Sequence, residues 1–209
     1  MTVRILGIDT GYTATGLALV EHDAAGARLV RWMTVKTAPT PKKRRLLVVD
    51  DHLRRIREIR RHVLAALVDP RPDVAVLEAF SQHQNAASAA RQAFGYATAV
   101  VCCENGVIPI VQWTPQEIHR RLGVPKPIPL PKAAPKGANR EEKRAAEAAR
   151  KRVREENKRA VWVAAAARCD GPWAELSEHE ADAACAALAA LLPDPVDIVR
   201  AVQAGRAAS

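Results

Sequence analysis

The sequence contains no Cys-x-x-Cys pair and no uninterrupted apolar run of about 18 residues, the length that a membrane-spanning helix requires. Without paired cysteines, neither a cysteine-ligated metal site nor a disulfide framework is indicated. The four cysteines lie in apolar, alanine-rich segments, and we expect them to be reduced core thiols of a cytoplasmic protein (Cys102, Cys103, Cys169 and Cys185). No signal-peptide pattern precedes the first predicted strand, so secretion is not expected either.

The composition favours one domain with a polyanionic partner. With 209 residues, 48% of them hydrophobic, the chain is long enough to bury one substantial core and short for two. The formal net charge of +9 and the pI of about 9.8 favour a nucleic acid as partner. Charge alone is equally compatible with a ribosome-associated or membrane-surface protein, so the motifs must decide.

Residues 3–20 predict two paired strands joined by a turn, with one acidic residue, Asp9, at the end of the first strand. A carboxylate there loses hydration, so it needs a cation, a phosphate-bound metal or a cage of hydrogen bonds. Gly7 and Gly11 leave the backbone open on both sides, as the close approach of a ligand requires. The alternative is that Asp9 only caps the turn through its own backbone.

A second lone acid, Glu78, lies near the end of the apolar segment 73–80, which predicts a buried strand. The carboxyl ends of strands form the edge at which open α/β sheets bind ligands. The remaining patterns up to residue 122 predict a strand at 28–35, a helix from Lys42 to about Leu67, a helix at 86–105, a strand at 107–111 and a helix at 114–122 capped by Thr114.

The composition changes after residue 124. Residues 125–135 alternate proline with lysine and apolar residues, which predicts a stiff extended linker or loop. Asn139 then caps a long helix that is basic over 140–159 and apolar over 160–167. The basic half is therefore expected to project from the core, either as a solvated helix with internal ion pairs or as an arm that contacts phosphates.

A third polar site lies in residues 177–190, where Ser177 predicts the start of a helix with a buried alanine face. His179 and Asp182 are three residues apart and share one face of this helix. A helix of alanines can approach a sheet closely, which would bring Asp182 near the acids at the strand ends. On this helix alone, the acids could equally be residues that favour a first turn through the helix dipole. Residues 193–204 predict a further short amphipathic helix.

Four residues on three separate core elements can therefore bind metal, namely Asp9, Glu78, His179 and Asp182. Three or four such ligands around one point are what two divalent cations need for in-line hydrolysis of a phosphodiester. The ordered motifs Ile-Leu-Gly-Ile-Asp-x-Gly-x-x-x-Thr-Gly, Leu-Glu-x-Phe and His-Glu-Ala-Asp-Ala resemble the RuvC family of Holliday junction resolvases, within the ribonuclease H-like superfamily. The resemblance runs from Met1 to about Leu192.

The resemblance implies an α/β, ribonuclease H-like fold with a five-stranded mixed sheet, three antiparallel then two parallel strands, and helices on both faces. We expect one nuclease domain over residues 1–209. The region at about 123–157 departs from the family pattern as an insertion longer than in typical bacterial members, which is compatible with a specialised or phage-type member. The resemblance also implies a homodimer that makes paired symmetric nicks in four-way DNA junctions during recombination and repair. Two Mg²⁺ ions per active site are expected, with Mn²⁺ able to substitute.

By the same resemblance, Asp9, Glu78 and Asp182 match the family's acids, and His179 falls where some members have Asp and others have His. The residues expected to contact DNA, by the resemblance or by their charge, are Phe80, His119, Arg120, Arg121, Arg150, Lys151, Arg154 and Lys158.

Other functions remain open. An actin-like ATP-utilising enzyme would share the first motif but would need a second Gly-rich phosphate turn, and the sequence after Glu78 has no candidate. A catalytically silent DNA-structure binder would be expected to lack some of the acids, whereas every matching position here can bind metal. A debranching nuclease of the same fold, without a preference for four-way junctions, stays an alternative within the nuclease class.

Overall fold

A computed structural model describes residues 2–41, 47–79 and 86–192. The expected contact of Phe80 with DNA and the expected helix at 193–204 lie outside the described residues. The described chain forms these elements in order: β1 (Val3–Asp9), β2 (Ala14–Asp23), β3 (Gly26–Lys36), α1 (Val48–Ala66), β4 (Val74–Glu78), α2 (Ala86–Asn105), β5 (Ile110–Trp113), α3 (Pro115–Arg121), α4 (Arg140–Ala166), β6 (Cys169–Asp170) and α5 (Glu178–Ala189).

The strands form one mixed sheet in the order β5-β4-β1-β2-β3-β6. β1, β2 and β3 are antiparallel, whereas β4 runs parallel to β1 and β5 parallel to β4. The predicted arrangement of three antiparallel and two parallel strands is confirmed. Ile8 of β1 is the register partner of Leu77 of β4, so Asp9 and Glu78 follow at the same edge of the sheet.

Helices cover both faces of the sheet because successive strand residues point to opposite sides. Ile5 faces a core that it shares with α3, α4 and α5, and its neighbour Leu6 faces a second core with α1 and α2. The four cysteines are free thiols buried in these cores. No helix in the described ranges is long and apolar enough to cross a bilayer.

Helix α5 packs directly on β1 and β2 because glycines of the strands face the alanine-rich helix at the points of closest approach. A methyl group at Gly7 would overlap the carbonyl oxygen of Ala183, and one at Gly16 would overlap the carbonyl oxygen of His179. Gly11 faces the carbonyl of Ala14 within its own turn. The interpretation of Gly7 and Gly11 as openings for a ligand is therefore wrong, since protein backbone fills both places.

Two strand predictions need correction. The sheet has a sixth strand, β6, whose two residues pair in parallel with β3 and are too few to give a sequence pattern. The predicted strand at 107–111 begins instead at Ile110. The preceding residues turn back on α2: Val107 has a φ of 52°, and the amide of Ile108 donates to the carbonyl of Cys103.

The long helix α4 divides as the sequence predicted. Residues 140–159 are mostly exposed, whereas Val161 and Ala165 are buried in the core that α4 shares with α5. Asn139 and Ser177 form the predicted capping boxes at the starts of α4 and α5. We call residues 140–157 of α4 the arm helix.

Candidate active site

The four predicted metal ligands line one cavity of about 400 Å³, which opens at the edge of the sheet where β1 and β4 end (Asp9, Glu78, His179 and Asp182). Two come from the strand ends and two from the first turns of α5, while α3 and α4 supply further walls through His119 and Lys158. The structure thus brings together residues that lie up to 173 positions apart in the chain.

Asp9 and His179 form a direct pair across the contact between β1 and α5. Nδ1 of His179 lies 2.7 Å from Oδ2 of Asp9, and this hydrogen bond raises the pKa of His179 above the ordinary histidine value. The start of α5 is also tied to β3, since the hydroxyl of Ser177 lies 2.6 Å from that of Thr34. The imidazole is therefore held at a defined place beside the strand end.

Helix α4 binds both carboxylate oxygens of Asp182. Nζ of Lys158 donates to Oδ2 over 2.8 Å, and Nε1 of Trp162 donates to Oδ1 over 2.9 Å. Lys158 also pairs with Glu178. Partial burial lowers the pKa of Lys158, but the ion pairs with Asp182 and Glu178 outweigh burial and leave the pKa raised. The ammonium group is therefore charged at neutral pH.

Glu78 is the most perturbed carboxyl group of the cavity. Burial raises its pKa, the neighbouring charges of Asp9 and Asp182 raise it further, and Lys158 compensates only in part, so that the pKa is about 7. Carboxylates gathered with too little positive charge are typical of a cation site or of a general acid or base.

The donor set suits a divalent cation. Three carboxylates and one imidazole offer the oxygen-rich ligands that Mg²⁺ and Mn²⁺ bind, and Glu78 shows that the carboxylates are short of positive charge. Within residues 2–41, 47–79 and 86–192, no three His, Cys, Asp or Glu side chains are grouped so that they could hold one ion. His179 contacts Asp9 and Lys158 contacts Asp182 instead, so the side chains would have to rearrange to bind metal.

The basic residues of α3 differ in how far their side chains are exposed and free to contact DNA. His119 lines the cavity, and burial lowers its pKa below the ordinary histidine value. Arg120 is exposed and pairs with Glu117 over 2.6 Å. Arg121 stacks over the ring of Trp113 at 3.7 Å and its side chain is only 8% exposed. The guanidinium of Arg121 is thus used in packing, and this favours a structural role over a DNA contact.

Two of the arm helix's basic residues are paired within the helix. Lys151 lies 3.7 Å from Glu155, and Arg154 lies 2.9 Å from Glu147, as the solvated-helix alternative predicts. Arg150 is half-buried rather than exposed. These pairs leave Lys151 and Arg154 at the surface, where a phosphate could compete for them.

Sequence reasoning missed Trp162 and Glu178. Trp162 follows Lys158 by four residues, which places both on one face of α4. That spacing was the available signal, because Lys158 was already expected near the site. Glu178 was hidden by its ordinary place in the first turn of α5, where acids favour the helix dipole.

A mixed sheet of this order, with acids at the ends of β1 and β4 and a C-terminal helix that faces them, defines a ribonuclease H-like fold. A structure of T. thermophilus RuvC in complex with a Holliday junction substrate matches it with a TM-score of 0.63 and 20% identity, over 90% of this chain and 93% of that one. At this identity the match shows the fold. The family described as crossover junction endodeoxyribonuclease RuvC matches residues 5–124, and the chain belongs to that family.

Two relatives from this family are 32% and 33% identical to the chain. The crossover junction endodeoxyribonuclease RuvC of Alkalilimnicola ehrlichii aligns over 57% of this chain and 66% of its own length. That of Salinispora arenicola aligns over 56% and 62%. The chain thus matches slightly less than two thirds of these relatives. Membership of the family implies dependence on a divalent metal ion. Asp9 and Glu78 fall within the family match, whereas His179 and Asp182 lie beyond it.

Proposed function

We propose that the chain is a metal-dependent, structure-selective DNA endonuclease that resolves four-way junctions by paired symmetric nicks. The observation that carries this proposal is the convergence of Asp9, Glu78, His179 and Asp182 on one cavity in a member of the RuvC family. The names of the relatives support the reaction, and the junction bound in the matched T. thermophilus structure supports the substrate.

In this proposal the three carboxylates and His179 hold two divalent cations, Mg²⁺ in the first place and Mn²⁺ as a substitute. When bound, such ions activate a water molecule and stabilise the leaving oxygen. The chain's own groups must be deprotonated to act as ligands, which concerns Glu78 and His179 above all. Lys158, which donates a hydrogen bond to Asp182 in this structure, is placed to donate to a phosphate oxygen that enters the cavity.

The proposed DNA contacts come from α3 and α4. His119 and Lys158 line the cavity itself and would contact the phosphates nearest to the scissile bond. Arg120, Lys151 and Arg154 would contact more distant phosphates, whereas Arg150 lies on the half-buried face of the arm helix and would have to turn outwards to do so. Phe80 is proposed to contact DNA, as the resemblance implies. The phosphate contacts supply affinity without reading base sequence.

Paired nicks require two active sites. The described chain has one cavity that contains all four ligands, so we infer that two copies act together as a homodimer on the two opposed strands of a junction. We also infer that residues 1–209 form one nuclease domain with residues 123–157 as an insertion. A cytoplasmic location fits the four buried free thiols.

Nicking assays with Mg²⁺ on a four-way junction, a Y-fork and a linear duplex test the proposal. We expect two symmetric nicks in the junction and little cutting of the linear duplex, with Asp9→Asn as the inactive control. Equal cutting of the Y-fork would favour the debranching nuclease instead. Junction binding without cleavage under any metal would favour the silent DNA-structure binder.

A further inference from the structure

The proline-rich segment 125–138, which we call the strap, is fixed to the arm helix by one residue. The side-chain amide of Asn157 donates to the carbonyl of Ile128 over 2.9 Å and accepts from the backbone N–H of Ile128 over 2.8 Å. Pro127 and Pro129 have no N–H, so Ile128 offers the backbone donor at this point. Within the described ranges, no other residue outside the strap hydrogen-bonds to it.

The burial pattern shows which side of the arm helix is covered. The half-buried residues of the arm helix are spaced by four, three and four positions, which places them on one face (Ala146, Arg150, Val153 and Asn157). The strap has half-buried residues of its own at Pro131, Ala134 and Ala138. One half-buried face on each part is the pattern that a strap lying against the arm helix would give.

The connectivity requires the strap to run along the arm helix. Ile128 is bonded to Asn157 near one end of the arm helix, and the chain must return to Arg140 to begin that helix. The distance from Arg140 to Asn157 along the axis is on the order of 25 Å at the rise of an α-helix. An extended chain of the length between Ile128 and Arg140 spans this distance, since polyproline II rises about 3 Å per residue.

The strap offers positive charge that is not already paired. It contains three lysines and no acidic residue, and all three are exposed (Lys126, Lys132 and Lys136). Within the part of the chain that the structure describes, none of these lysines has an ion pair. Lys151 and Arg154 of the arm helix, in contrast, pair with glutamates.

We propose that the strap and the arm helix form one basic surface that binds the phosphate backbone of a DNA duplex beside the cavity. The inference rests on the proposed nuclease function and names the element of the insertion that contacts the phosphates. Asn157 immediately precedes Lys158, which reaches into the cavity, so the anchor fixes the strap close to the site. A stiff, proline-rich chain also loses little conformational freedom when it binds.

The salt dependence of binding tests the strap's lysines. Junction binding is measured without added metal for a variant with Lys126, Lys132 and Lys136 changed to Gln. The matched control removes the same charge from exposed positions on β3 and α1, by Lys36→Gln, Arg57→Gln and Arg60→Gln. Each lost phosphate contact lowers the slope of log K against log salt by about 0.9, so we expect the strap variant to lose about 2 to 3 and the control much less than 1.

Asn157→Leu tests the anchor, because it removes both hydrogen bonds without changing charge. Trypsin can cut after Lys132 and Lys136, whereas Lys126 precedes a proline and resists cleavage. We expect faster cutting at these two sites in the Asn157 variant than in the wild type when DNA is absent. Added junction should protect the sites in the wild type and protect them less in the variant.

The outcomes separate this inference from the proposed function. If the wild type binds the junction but both triple variants have equal salt slopes, the strap does not contact DNA and the nuclease proposal stands. If DNA does not protect the strap from trypsin, a proline-recognising protein is the better partner and the inference is wrong. If the wild type neither binds nor cuts a junction, the proposed function fails and the strap inference fails with it.

Discussion

Trp162 donates its indole N–H to Oδ1 of Asp182, while Lys158 binds Oδ2 of the same carboxylate. The two donors differ in kind. Trp162 is neutral and packs partly against the core, whereas Lys158 is a charged group on a flexible stem. Trp162 can therefore keep Asp182 oriented when Lys158 turns towards a phosphate. Hydrogen bonds of this type orient metal ligands, so in the proposed site Trp162 would be a positioning residue for Asp182.

Trp162→Phe should weaken metal binding by about 10-fold or more, because loss of such an orienting contact typically costs this much. Calorimetric titration with Mn²⁺ measures the effect, and junction binding without metal should not change. Trp173→Phe is the matched control, since it loses an indole hydrogen bond of 2.8 Å to the carbonyl of Cys169 instead. Equal metal affinities in the two variants would show that Trp162 contributes only packing and does not orient Asp182.

Asp9→Asn and Asp182→Asn should each lower the cleavage rate by several orders of magnitude while junction binding stays near the wild-type level. Metal ligands stabilise the transition state, whereas affinity comes from lysine and arginine contacts to phosphate. Single-turnover nicking and binding measured on the same junction give the two quantities. Asp170→Asn, at the exposed end of β6, is the control. Near wild-type cleavage by either site variant would mean that the site is wrongly placed.

Gly16→Ala should destabilise the fold and displace the site together. The added methyl group would overlap the carbonyl oxygen of His179, so α5 would have to move away from β2. Overpacking of this kind costs about 1 to 3 kcal/mol, which urea unfolding measures. Gly106→Ala is the control, because its nearest new contact is a flexible side-chain atom of Leu67 at 3.2 Å. Equal stabilities would show that α5 shifts freely.

The sequence predicted those parts of the fold that have a local cause. Short apolar runs predicted the central strands, and lone acids at the ends of β1 and β4 indicated the site. The arrangement of the strands in the sheet followed from the resemblance to the RuvC family. The alanine face of α5 predicted its close approach to the sheet, which the carbonyl of Ala183 against Gly7 confirms. The final placement of His179 follows from this contact.

Most of the missed features depend on distant partners. The start of β5 is different, because the turn before it is local: Val107 has a φ of 52°, and the amide of Ile108 donates to the carbonyl of Cys103. From the sequence, Trp162 looks like an ordinary core residue. Only the fold shows that its indole N–H donates a hydrogen bond to Asp182. Asn157 likewise looks like a solvated helix residue in the sequence, and only the fold shows its hydrogen bond with Ile128 of the strap. A single sequence carries no signal for such pairings.

Changing Arg150, Lys151, Arg152 and Arg154 to Gln should weaken DNA binding and flatten its dependence on log salt, because fewer counterions are released. Filter binding or fluorescence anisotropy at several salt concentrations gives the slope. The change also breaks the pairs of Lys151 and Arg154 with Glu155 and Glu147. A variant with both glutamates changed to Gln controls for that loss. An unchanged slope would mean that the arm helix is a solvated helix that does not contact DNA.

The protonation of His179 should lower the cleavage rate at acidic pH. Asp9 raises the pKa of His179, so the imidazole keeps its proton to a higher pH than an ordinary histidine. A protonated imidazole cannot bind metal. Glu78, with a pKa of about 7, must also lose its proton. Both effects have the same sign, so cleavage should fall as the pH drops through the neutral range.

His179→Asp should keep activity, shift the preference towards Mg²⁺ and extend cleavage to lower pH as far as Glu78 allows. An imidazole suits Mn²⁺ better than Mg²⁺, which prefers oxygen, so the wild type should cleave at least as well with Mn²⁺. His179→Ala should lose most activity, because the ligand and its bond to Asp9 both disappear. The three proteins are compared across pH with each metal. Full activity in the alanine variant would leave His179 only the role of a residue in the first turn of α5.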